Sequence, residues 1–464
     1  MVMLMETPAS TFYLNLNAEN NNTYIASNGI AEAATQVADG VLSLADGRGE
    51  IHLERQSLPG GATLQRTTLV NTGDTALLAD TLSAAFLTGI GSDGKRRWDD
   101  DRFRVHFAYS SWQGEGQWRH MSPEDAGLYK TYNHHSQTSV RLRSVGTWST
   151  AKYYPLLLLE DTELHRTHFF EVLVGGTGWQ IELCARGHRE DSTLCVFLGS
   201  ACEGNDGWTL TLAPGERYTT CPALYGCVEG GFEEAVAALI GAKRALALRR
   251  LPGGVPPLCF NDYMNCLWAL PTREKLIPLM DAAARVGAEY FVIDAGWFRT
   301  SGNWSADMGD WEPWDDLFGE GGVQGILDET VARGMKPGVW LEIESVGIGS
   351  AFAKAHPEAL LYRHGHVIGK DRCFMDFRNP AVRAHIRGVF DRLYRMGVRY
   401  VKNDYNQSVG VGIDTHGAPD RNGALALGDN AAAVLSLVDE ICTAYPDFII
   451  ESCCSGAMRS DFGA

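Results

Sequence analysis

Tyr400-Val401-Lys402-Asn403-Asp404-Tyr405-Asn406 reads as a β-strand whose end aims a lysine, a carboxylate and an amide in one direction. Side chains alternate faces along a strand, so Lys402, Asp404 and Asn406 fall on the same face. A lysine two residues from an aspartate helps keep that aspartate ionised, the state a carboxylate nucleophile requires. Alone, K-x-D-x-N is a weak signal, because an aspartate at a strand end more often caps a loop. It gains weight from three other strand-like segments in the same half that also end in polar side chains.

Outward from that stretch, strand-like and helix-like segments alternate from residue 258 onward, which implies a parallel sheet. Strands are expected at 258–263, 289–295, 336–344, 399–404 and 447–452. One helix should take Asn379 as its cap and Pro380 in its first turn, bury Val382, Ile386, Val389 and Leu393, and stop at Gly397. Gly287 and Gly334 should end two earlier helices, each just ahead of a strand. Repeated units with polar strand ends point to a (β/α)8 TIM-type barrel over 258–464, with its active site at the strand C-termini. A doubly wound sheet is the alternative.

Residues 1–228 read as an all-β supersandwich: short alternating runs such as Arg104–Tyr109, separated by turn residues. Asn71-Thr72-Gly73-Asp74 and Pro214-Gly215 are expected to close hairpins. A helical connector and the linker LPGGVPP (251–257) fill 229–257.

The 464 residues predict two or three domains, and 45% hydrophobic with 21% charged residues describes a globular protein. A formal charge of -17 argues against nucleic acid or an anionic membrane as partner. MVMLMETPAS lacks a basic then apolar pattern, so no signal peptide is expected, and no apolar run is long enough to span a bilayer. Eleven scattered cysteines without a CxxC pair favour a reducing cytoplasm over a disulfide framework or a structural zinc site.

In Val339-Trp340-Leu341-Glu342-Ile343-Glu344, the aliphatic set should face outer helices, leaving an indole and two carboxylates inside. Buried carboxylates are costly unless paired or used, and a salt-bridged Glu342 is as good a reading as a functional one. Asp294 ends FVID ahead of Ala-Gly-Trp-Phe and either meets a ligand or caps the turn. Tyr263, Trp268, Trp297 and Trp311 offer apolar platforms for sugar rings, although each is more often core. His134-His135 has no metal-ligand spacing and reads as a solvated loop.

Seven segments, in order, resemble glycoside hydrolase family 36: FNDYMNCLW (260–268), VIDAGWF (292–298), GDW (309–311), PGVWLEIESVG (337–347), MDFRNP (375–380), VKNDYNQS (401–408) and ESCCSGAMRSDFG (451–463). SSWQGEGQW (110–118) is reminiscent of the family's N-terminal sandwich. The resemblance implies a retaining α-glycosidase, most simply α-galactosidase-like, that forms a covalent glycosyl-enzyme and needs no cofactor or metal. It places Asp404 as nucleophile, with Asn403 and Tyr405 replacing the family's Trp and Met. It makes Lys402, Asn406, Cys453, Asp294 and Arg372 the sugar contacts, with Lys370 competing for the arginine's place. The expected partner is an oligosaccharide or other α-glycoside, and a homo-oligomer is left open for the full-length protein.

Two departures qualify this. Ala295 stands where the family has the second aspartate of D-D-G-W, so galactose recognition is in question and an α-glucoside is a plausible substrate. A retaining glycosidase also needs two carboxyl groups about 5–5.5 Å apart, yet the family's proton donor lies in a W-x-S-D segment beyond Ala464, and Asp461 matches the R-F-D aspartate, which is not the donor. The expectation is therefore a fragment with an incomplete barrel, inactive or nearly so alone. Transglycosylase and α-N-acetylgalactosaminidase activities are alternatives within the family. Outside it stand a non-catalytic sugar-binding remnant and a Mg²⁺-dependent lyase using Asp294, Glu344 and Asp404, with Lys402 as base.

Overall fold

The computed structural model describes residues 9–16, 34–44, 47–129, 139–186, 192–200, 208–247, 255–414 and 423–463. His134-His135 and the first four residues of LPGGVPP lie outside them. The chain forms two compact units, neither of which is one continuous stretch. The first takes Met1–Leu248, Gly410–Gly428 and Ala457–Ala464, and the second takes Arg249–Val409 and Asp429–Gly456.

The first unit is β-rich, with antiparallel sheets of five, ten and three strands. The strand Arg166–Val172 shows what packs it, because alternate residues face different cores. Phe170 and Val172 join Leu157 and Leu159 in one core, while Phe169 joins Leu156 and Leu158 in another. That second core is closed by Ala235, Ala238, Leu239 and Ala242 of the helix Phe232–Leu246. Each large side chain buried this way contributes roughly 1.5–3 kcal/mol.

The two expected hairpins are not hairpins. Ala62–Asn71 lies in the ten-stranded sheet, whereas Leu77–Leu82 and Leu210–Leu212 pair in the three-stranded one. Arg217–Thr219 then returns to pair with Ala62–Asn71. Both turns carry the chain between sheets, and Asn71 joins them. Its amide donates to the Thr75 and Leu212 carbonyls, each at 2.8 Å. Its main chain exchanges hydrogen bonds with Gly215 and Glu216, both at 2.9 Å.

The second unit is built on five parallel strands in sequence order: Cys259–Asn261, Tyr290–Ile293, Lys336–Leu341, Tyr400–Asn403 and Ile449–Ser452. All five coincide with expected strands. Each new strand adds on the same side, so there is no reversal of order and the doubly wound alternative does not hold. The helix Pro380–Arg395 has Asn379 as its cap, with Oδ1 accepting the Ala381 N–H at 2.9 Å, and buries Val382, Ile386, Val389 and Leu393. Gly287, Gly334 and Gly397 follow their helices with positive φ, the conformation a glycine stop supplies.

Alternation along these strands separates two environments. Phe291, Ile293, Val339, Leu341 and Val401 join the helices in one core, while Tyr290, Val292, Tyr400 and Ile449 form a small cluster on the other face. Gly338 sits in that second layer, where an added Cβ would lie 2.9 Å from Val292 and 3.0 Å from Tyr400. Among the described residues no helix is long and apolar enough to cross a membrane.

Candidate active site

Following the second face to the strand ends reaches Lys402 within its strand and Asp294, Glu342, Asp404 and Cys453 one residue past theirs. Trp340, Lys402 and Glu451 stand in one register across neighbouring strands. The parity of the strands thus delivers the polar side chains to one place.

Asp404 is 7% exposed, and three donors lie within 3.1 Å of it. Oδ2 accepts the Trp340 indole N–H at 3.1 Å, and Oδ1 accepts the main-chain N–H groups of Tyr405 at 2.9 Å and Ser455 at 3.1 Å. Burial pushes the carboxyl pKa up, but hydrogen bonds from Asn406 and Trp340, the Lys402 charge and the Ser455 N–H together hold it below the ordinary value. Trp340 is itself fixed: its carbonyl accepts the Trp297 indole N–H at 2.9 Å, and its ring packs against Phe298, Trp304 and Trp311. Ser455 aims its N–H from a φ of +44°, strained for a residue other than glycine.

Lys402 makes its ion pair with Asp294, not with Asp404. Its Nζ lies 2.8 Å from Asp294 Oδ2, which also accepts Asn261 Nδ2 at 2.7 Å. Burial lowers the Lys402 pKa, but the Asp294 charge and hydrogen bond outweigh it and the ammonium is retained. The lysine acts on Asp404 only through its field.

Glu342 is fully buried and salt-bridged. Arg372 Nη1 approaches its oxygens at 3.2 and 2.9 Å, Asn406 donates from N at 3.1 Å and Nδ2 at 3.2 Å, and Ser345 Oγ donates at 2.7 Å. Arg372 also reaches Ser305 Oγ at 3.2 Å and lies over the Trp304 ring. Lys370, its competitor in the sequence, is exposed. The Cys453 thiol is pushed up to about 12, first by burial and then by the Asp404 charge, so it stays protonated beside the carboxylate.

The Melibiase family model matches residues 243–464. That match takes in just under half of the chain. The curated proteins to which the chain is similar are α-galactosidases. α-Galactosidase 1 of Pediococcus pentosaceus is 29% identical over 210 residues, covering 45% of this chain and 28% of that protein. Mel36A of Lactobacillus acidophilus is 29% identical over 218 residues, covering 45% and 29%. The fold matches the GH36 α-galactosidase AgaA of Geobacillus stearothermophilus with a TM-score of 0.77 at 18% identity, over 98% of this chain and 60% of that one. The chain thus spans less than two thirds of the length of the proteins it matches.

Within the second unit, all six residues singled out in the sequence lie in one linked network. Asp294 ends the second strand and Lys402 and Asp404 the fourth, with Lys336–Leu341 between them; Lys402 bonds Asp294, Asn406 joins Glu342 and Ser455, Arg372 joins Glu342, and Cys453 lies beside Asp404. Trp297 and Trp311 are core, at 0% and 1% exposure, while Trp268 is exposed and edge-on to Tyr263. No group of three His, Cys, Asp or Glu side chains able to hold a metal ion occurs among the described residues, so the lyase's ligand set does not form there. Asp461 belongs to the first unit, where Ser149 Oγ and the N–H groups of Gly175, Gly176 and Gly463 all donate to it. The sequence reading missed the Trp340, Tyr405 and Ser455 donors and the roles of Asn261 and Asp262. Only strand parity, which puts Trp340 and Asn261 on the site's face, pointed to any of them.

Proposed function

We infer that the chain carries the nucleophile side of a retaining α-glycoside hydrolase of α-galactosidase type, acting on oligosaccharides in a reducing cytoplasm. The observation that carries this reading is Asp404. It is a buried carboxylate held ionised by three hydrogen bonds at the C-terminal end of a parallel strand, beside a lysine–aspartate pair. A nucleophile of this kind must be anionic and immobile, and the surrounding donors meet both needs. Asp294, Lys402, Arg372, Asn406 and Cys453 are assigned as sugar contacts, and the sequential strand order supports a (β/α)8 barrel. AgaA variants have been solved with raffinose and stachyose, and the proposal extends that substrate class to this chain.

The test separates nucleophile from proton donor. An activated 2-fluoro-α-galactosyl fluoride has a leaving group that needs no protonation, so it reports on attack alone. Intact-mass analysis should find one glycosyl unit added, on the peptide containing Asp404, and none in Asp404→Asn. Galactose binding without any labelling would favour a sugar-binding protein instead.

A further inference from the structure

Asp262 has no part in the reading above. It directly follows the Cys259–Asn261 strand and is 2% exposed. Main-chain bonds fix it: its N–H donates to Val292 O at 3.3 Å and its carbonyl accepts from Leu267 at 2.8 Å. Its Oδ1 accepts the Asp294 N–H at 2.8 Å, whereas Oδ2 is buried with no hydrogen-bond partner. The titratable groups around it are Asp294 at the end of the adjacent strand, Lys402 on the fourth strand of the sheet and Cys266 in its own turn. Lys402, the cation whose field reaches it, is bonded to Asp294 instead.

A carboxylate buried without a counter-ion, beside a second carboxylate, is driven to its neutral form. We propose that Asp262 is a positioning residue for the Asp294–Lys402 pair, working as a neutral carboxylic acid whose Oδ1 holds the Asp294 main chain while its protonated Oδ2 keeps a second negative charge away from Lys402. Burial first, then the Asp294 charge, raises its pKa to about 7, against the Asp294 N–H bond and Lys402. Ionisation above that value makes two carboxylates compete for one ammonium. Because Asp294 and Lys402 are read as sugar contacts, the inference rests on the proposed function for its effect on ligand.

The experiment compares wild type, Asp262→Asn and Asp262→Ala by thermal unfolding across pH and by calorimetric titration with galactose. The asparagine keeps an oxygen for the Asp294 N–H and is neutral at every pH. Its stability margin over wild type should therefore widen from about pH 4 to about pH 7 and then level off. Wild-type affinity for galactose should fall about tenfold between pH 6 and pH 8, that of Asp262→Asn should hold, and Asp262→Ala should bind weakly at both. A margin that does not change with pH overturns the inference, as does equal pH dependence of binding in wild type and Asp262→Asn. If no variant binds galactose, the sugar reading of the site fails, and the widening stability margin alone then upholds the neutral-acid role.

Discussion

Two clusters of buried charge, one in each unit, use their hydrogen bonds differently. In the sandwich, Arg102 and Asp161 are both fully buried. Arg102 grips Asp161 through Nε at 2.9 Å and Nη2 at 2.6 Å, and spends Nη1 on the carbonyls of Gly91, Asp93 and Arg96. Its donors are all consumed inside the protein. In the second unit, Lys402 spends one hydrogen bond on Asp294 from a group that carries three donors. The first arrangement closes a fold, and the second keeps binding capacity in reserve. A buried charge pair thus indicates function less by its burial than by what it leaves unspent.

The sharpest way to break this contrast is Asp404→Asn. Labelling by the activated glycosyl fluoride should slow on the order of 10⁴-fold, while urea unfolding near neutral pH shifts by no more than about 1 kcal/mol. The ionised Asp404 contributes stability above its unfolded pKa, and this is lost as pH falls through its lowered folded value. The variant should lack that loss below about pH 4. A large loss of stability at neutral pH would put Asp404 in the same class as Arg102.

Arg102→Met should do the opposite. It leaves the buried Asp161 with only the more distant Arg166 Nε, at 3.7 Å, as counter-ion, and should cost about 3–5 kcal/mol in urea unfolding. Next comes His168, buried beside the same cluster, whose pKa burial lowers to about 4 and whose ring nitrogens have no hydrogen-bond partner. The unfolded chain binds its proton more readily, so stability should fall as pH drops from about 6.5 to about 4, by up to about 3 kcal/mol. His168→Phe should flatten that slope in pH-dependent melting curves. The smallest effect is expected from Trp340→Phe. Losing one hydrogen bond to a carboxylate, about 1.5–3 kcal/mol, should slow labelling roughly 10- to 100-fold and move its acidic limb to higher pH. An unchanged limb would remove Trp340 from the set that keeps Asp404 ionised.

Much of the second unit was legible because its signals are local. The cap at Asn379, the spacing from Val382 to Leu393 and the stop at Gly397 each act within one helix, and they recur in the structure. Strand parity likewise carried Asp294, Lys402 and Asp404 to one face. Two kinds of feature stayed hidden. Asn71-Thr72-Gly73-Asp74 has turn chemistry, but turn residues specify a change of direction, not the sheet that receives the next strand. The donors to Asp404 from Tyr405 and Ser455 are main-chain groups, which every residue type possesses, and the positive φ of Ser455 belongs to a residue that gives no such warning. The charge on Asp262 depends on burial and on Asp294, 32 residues away, so composition near Asp262 says nothing about it.

The divided make-up of the first unit bears on how the protein is made. The Leu425 side chain fills one of the sandwich's cores, and Asp461 ties Ser149 to the Gly175 and Gly176 main chain. A ribosome that has delivered residues 1–248 has therefore not yet supplied everything the sandwich buries. The nascent sandwich must stay open, or only loosely closed, while more than two hundred further residues emerge.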